Sequence, residues 1–154
     1  MFLFGIKRTL VGAALVVLAV GGVHAHSGAS GVVLERMELM KSVGSAMKKI
    51  GGMVTGKQEY NAEMVKAAAN EIASHGANIE GLFPDTPESK DSKVSEAAPA
   101  IWEKPQDFMV ETKKLTEAAT KLAAASADQA SALEAFKVLG GTCKSCHESF
   151  RIKK

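Results

Sequence analysis

The chain has 154 residues, with 19 Lys or Arg against 17 Asp or Glu, 46% hydrophobic residues, 5% aromatic residues and two cysteines. That length holds one domain, and the near balance of charge excludes the basic footprint of a nucleic-acid-binding protein.

The chain opens on "MFLFGIKRTLVGAALVVLAVGGVHA", with Lys7 and Arg8 before an apolar run from Leu10 to Val20 and small residues up to Ala25. This layout predicts a secretory signal peptide over residues 1–25, because the run is shorter than the roughly 20 residues that cross a bilayer. Its removal takes Lys7 and Arg8 with it, so 19 basic residues become 17 against 17 acidic ones. The mature chain, residues 26–154, is then neutral, periplasmic and free of any membrane segment. His26 becomes its first residue, where amine and ring could take up stray copper or nickel.

From Val32 to Val54, residues Val33, Met37, Met40, Gly44, Met47, Gly51 and Val54 recur four and three apart, the seam of a helix packed on other helices. A second helix is predicted from the N-cap Asn61, with Met64, Ala68, Ile72, Ile79 and Leu82 inward. Residues 83–100, "FPDTPESKDSKVSEAAPA", read as a long surface loop, and its length hints that it covers something. Pro105 opens a third helix to Ala125, with Phe108, Leu115, Ala119 and Leu122 inward. Ser126 or Asp128 caps a fourth, whose inward face reads Leu133, Phe136, Gly140, Cys143, His147 and Phe150. No segment alternates with period two. The predicted fold is all-α, an antiparallel four-helix bundle.

Both cysteines fall in "GGTCKSCHESFR" near the end of the chain. A structural zinc site wants four ligands, and no second Cys or His pair exists to complete one. A redox C-x-x-C opens a helix after a strand, and no strand precedes this one. A disulfide three residues apart in a helix would constrain little. C-x-x-C-H is also the attachment signature for haem c: two thiols one turn apart meet the two vinyl groups, and the next imidazole ligates iron. On that reading Cys143 and Cys146 form the thioethers and His147 is the proximal ligand. One covalent haem also explains how the thiols survive an oxidising compartment.

With "RMELM" on the first helix, "GK" at 56 and 57, "APAIW" followed by "DF", and "CKSCHESFR" at the end, the chain resembles the class II c-type cytochromes, which include cytochrome c′. The resemblance spans the mature chain. It implies a periplasmic haem protein, often a homodimer through its first two helices, that works with redox partner proteins. It also places Met40, four residues after Arg36, on the distal side of the haem. A Met40 thioether on iron would make a low-spin one-electron carrier. The alternative is that Met40 only packs, leaving a five-coordinate centre for nitric oxide or carbon monoxide. Arg36 is a candidate haem propionate contact or a solvated side chain. Arg151 flanks the proximal face or answers the helix dipole. Trp102 and Phe108 suit the core or the haem edge, and His75 the surface. No distal His and Arg pair suggests peroxidase chemistry, so an enzyme is not expected.

Overall fold

The computed structural model describes residues 28–153; the predicted signal segment and His26 lie outside them. Four long helices arise where the periodicity places them: α1 (Gly31–Val54), α2 (Ala62–Asn78), α4 (Pro105–Ala125) and α5 (Gln129–Phe150). A short α3 (Ala100–Glu103) precedes α4. No helix among the described residues is long and apolar enough to cross a membrane.

The helix starts follow local chemistry. The Asn61 side chain accepts from the Met64 amide at 2.9 Å, and the Asp128 carboxylate accepts from the Ser131 amide at 2.8 Å. These bonds satisfy amides that lack a partner inside the helix. The Ser131 contacts also hold the Asp128 carboxyl below its usual pKa. Pro105 occupies the first turn of α4, where no amide is needed. Gly56, at φ +74°, turns the chain out of α1.

The helices run up and down around one core. At the closed end, the Tyr60 hydroxyl donates to Ser126 O at 2.6 Å, and Gln129 Nε2 donates to Met53 O at 3.1 Å. These bonds tie both tight connections to each other and hold the start of α5 against the end of α1. At the other end, Phe83, Phe108 and Phe150 meet edge-on, with ring centroids 5.0 and 5.2 Å apart. The Trp102 indole donates to Phe83 O and Pro84 O, half-buried beside that cluster.

Several predicted core positions are corrected. In α1 the buried residues are Val33, Arg36, Val43, Ala46, Ile50, Met53 and Val54, whereas Met37 and Met40 are 39% and 37% exposed. The predicted stripe lies on the flank of α1 that turns toward α5, because a bundle helix has two neighbours and hence two inward edges. In α2 Val65 is buried and Met64 is exposed. That helix stops at Asn78, and Leu82 rides on a 3-10 turn, Glu80–Leu82. In α5 Ala132, Leu139 and Phe150 are buried; Leu133, Phe136, Gly140 and Cys143 are half-buried, and His147 is exposed. His75 is part-buried in the α1–α2 seam, its Nε2 3.2 Å from Ser42 Oγ.

The long loop is predicted correctly in extent but is not a loose excursion. Its end pairs with the tail of α5: Ala98 N donates to Phe150 O at 3.0 Å, and Ile152 N to Glu96 O at 2.7 Å.

Candidate haem site on the last helix

Cys143 and Cys146 sit one turn apart on α5, both free thiols and both half-buried. Burial raises the pKa of each thiol, and beside the Glu111 carboxylate and Cys143 the Cys146 value reaches about 11. His147 follows with its ring reaching solvent. Partial desolvation, then the Arg151 charge, lowers its pKa, and Glu96 opposes them. The neutral imidazole that results has the lone pair a metal takes.

The other wall is the neighbouring helix α1, which touches α5 far less than it touches α2. The two close only near one end, where a Cβ on Gly51 would stand 3.1 Å from Phe136 Cζ. They run antiparallel, so counting seven residues back from Gly51 and seven on from Phe136 pairs Gly44 with Cys143. Counting eleven each way pairs Met40 with His147. Along this open stretch, a Cβ on Gly44 or Gly140 would meet nothing within 4 Å.

The residues present fit a haem c. Two thiols and an imidazole stand at the covalent spacing on one wall, and the facing wall is a stripe of methionines and glycine with room before it. Two cavities of about 320 Å³ lie elsewhere, around α3 and α4, and neither is lined by Cys143, Cys146 or His147. The candidate haem site is the open trough between α1 and α5.

A family model and several relatives match most of the chain. The family model described as cytochrome C′ matches residues 31–151, which takes in α1 through α5. The chain belongs to the cytochrome c′ family. Members carry one covalently bound haem c per chain. Among relatives of this family member, cytochrome c-556 of Agrobacterium tumefaciens (strain apple 185) is 42% identical over 120 residues, 77% of this chain and 93% of that one. Cytochrome c-554 of Cereibacter sphaeroides (strain ATCC 17023) is 40% identical, across 77% of this chain and 78% of its own. The solved cytochrome c′ of Rhodopseudomonas palustris superposes with TM-score 0.74 at 33% identity, covering 81% of this chain and 98% of that one.

Around the trough of this cytochrome c′ family member, the other candidates are placed as follows. Arg36 is 6% exposed, and its guanidinium is held by Leu82 and Ser89 of the long loop. Arg151 pairs with the Glu96 carboxylate just past the end of α5. Glu111 was not foreseen. Its Oε1 accepts from Lys114 Nζ at 2.7 Å, which holds its pKa down, and its Oε2 is buried without a hydrogen-bond partner. The Ser145 hydroxyl also favours that charge without completing a bond to Oε2. One sign was legible: Glu111 falls on the α4 stripe between the inward Phe108 and Leu115, where an apolar residue is expected.

Proposed function

We propose that the chain is an exported, periplasmic one-electron carrier with a six-coordinate low-spin haem c. Cys143 and Cys146 would hold the haem through thioethers, His147 would be the proximal iron ligand and Met40 the distal one. When bound, the haem supplies an iron that cycles between ferric and ferrous. The protein's own part is positional. The stiff backbone of α5 sets the sulfur and imidazole spacing, and partial desolvation with the nearby Arg151 charge favours neutral His147. The observation that supports the reading is the approach of Gly51 in α1 to Phe136 in α5; carried eleven residues along each antiparallel helix, it would bring Met40 level with His147. A thioether there raises the potential relative to an open site.

The test is an optical spectrum of the holoprotein. A low-spin ferric form with a sulfur-to-iron charge-transfer band, abolished in Met40→Ala, is expected. A high-spin spectrum in the wild type would overturn Met40 ligation.

A second reading, five-coordinate haem that binds nitric oxide or carbon monoxide, draws on one observation: Met40 is 37% exposed and is not locked in the core. A solved cytochrome c′ of Alcaligenes xylosoxidans, 25% identical with TM-score 0.70, is described as a nitric oxide complex. Rapid carbon monoxide binding by wild-type ferrous protein would favour this reading. A propionate reaching Arg36 would use N–H groups that Leu82 and Ser89 leave open. A homodimer through α1 and α2 is proposed as well; another cytochrome c′, 28% identical, is described as showing ligand-controlled dimer dissociation.

A further inference from the structure

One segment of this chain touches both walls of the trough. At its start, Arg36 of α1 donates from Nε to Leu82 O at 2.5 Å, from NH1 to Ser89 O at 2.9 Å and from NH2 to Ser89 Oγ. Three of the five guanidinium N–H groups are thereby committed to residues 46 and 53 positions away. The same guanidinium lies 3.9 Å from the Phe83 ring centroid, a stacked cation–π contact. Ser89 is fully buried, so without Arg36 its hydroxyl and carbonyl lose the partner that burial requires. Glu88 packs against Gly31, at the start of α1, where a carboxylate suits the helix dipole.

At its far end the segment grips α5. Glu96 O accepts from Ile152 N, Ala98 N donates to Phe150 O, and the Glu96 carboxylate accepts from Arg151 Nε at 2.7 Å. Arg151 and Glu96 are 52% and 35% exposed, so the ion pair adds little stability and serves to set direction. Arg36 precedes Met40 by one turn, and Arg151 follows His147 by one turn.

We propose that residues 82–98 form a clasp that fixes the spacing of α1 and α5 at the open end of the trough, with Arg36 and Glu96 as its positioning residues. The inference rests on the haem reading of that trough. Packing at the closed end, between Gly51 and Phe136, cannot set the spacing eleven residues further along. The clasp can, because it is anchored on both helices beside the two axial positions. Arg36 thus acts on the distal side through the loop, and Glu96 acts on the proximal side through Arg151.

The experiment compares wild-type holoprotein with Arg36→Lys, Ser89→Ala and Glu96→Gln. Carbon monoxide association to the ferrous form, amide exchange over 83–95 and the reduction potential are measured on each. Arg36→Lys keeps the charge but loses the fork, and is expected to raise the association rate about tenfold, the equivalent of one lost charged hydrogen bond. Ser89→Ala touches no haem group and is expected to move rate and exchange the same way, about threefold. Glu96→Gln is expected to shift the reduction potential with a smaller change in rate. Unchanged rates in both Arg36→Lys and Ser89→Ala overturn the clasp. So does a faster Arg36→Lys beside a wild-type Ser89→Ala, which would mean that Arg36 acts on the haem directly. Failure of the haem reading is separate: wild-type protein without haem after denaturing electrophoresis would reject it, whatever the clasp variants do.

Discussion

The two halves of the bundle are packed on opposite terms. Between α2 and α4 many of the buried residues are small, with Ala68, Ala69, Ala118, Ala119 and Ala123 beside Ile72 and Leu122 in the core, and the helices approach closely. At Gly76 a Cβ would meet Thr116 Oγ1 at 2.6 Å and the Thr116 backbone at 3.4 Å. Between α1 and α5, Gly44 and Gly140 face open space although Gly51 meets Phe136, and the large side chains Met37 and Met40 are exposed. Glycine therefore does two jobs in one fold. At Gly76 it allows backbone contact, and at Gly44 it leaves a trough. The tight half supplies the stability that lets the other half stay open for a cofactor.

The contrast is broken most severely by Leu122→Ala, which removes a fully buried side chain from α4. Its expected cost is about 2–5 kcal/mol in a denaturant melt of the holoprotein. Gly76→Ala is expected to cost about 1–3 kcal/mol, since the Thr116 hydroxyl, bonded to Thr112 O, must move. Gly44→Ala in the open half should reverse the sign and gain about 0.5–1 kcal/mol of helix propensity. Equal effects at Gly44 and Gly76 would erase the distinction between the halves.

The smallest effect sharpens the boundary between them, where Glu111 of α4 faces α5. Its carboxyl is held below the ordinary 4.5, mainly by Lys114. The folded state therefore binds the proton less readily than the unfolded chain does. That contribution is complete above the unfolded value and is lost as pH falls through the folded one. Wild type should exceed Glu111→Gln by a few tenths of a kcal/mol at pH 7, a half-exposed pairing with Lys114 being worth no more. The gap should narrow below pH 4.5. Parallel stability curves for the two proteins from pH 7 to pH 3 would contradict this.

Much of the molecule was readable in one dimension because its signals are local. The caps Asn61 and Asp128 act on amides three residues on, Pro105 marks a first turn, and the cysteine–histidine spacing is set by one turn of helix. The α1 stripe through Met40, Gly44 and Gly51 was also detectable, but periodicity could not tell a core face from a trough wall. Both carry the same spacing of apolar and small residues, and only the neighbour distinguishes them.

The amino-acid sequence by itself determined the helices, their order, the family and the chemistry offered by Cys143, Cys146 and His147, since each depends on residues within a few positions. Only the tertiary structure decided that Gly51 approaches Phe136, that Oε2 of Glu111 is buried without a partner while its charge acts on Cys146, and that Arg36 is bound by Leu82 and Ser89. Those relations join residues dozens of positions apart, and they arise from packing that local periodicity does not encode.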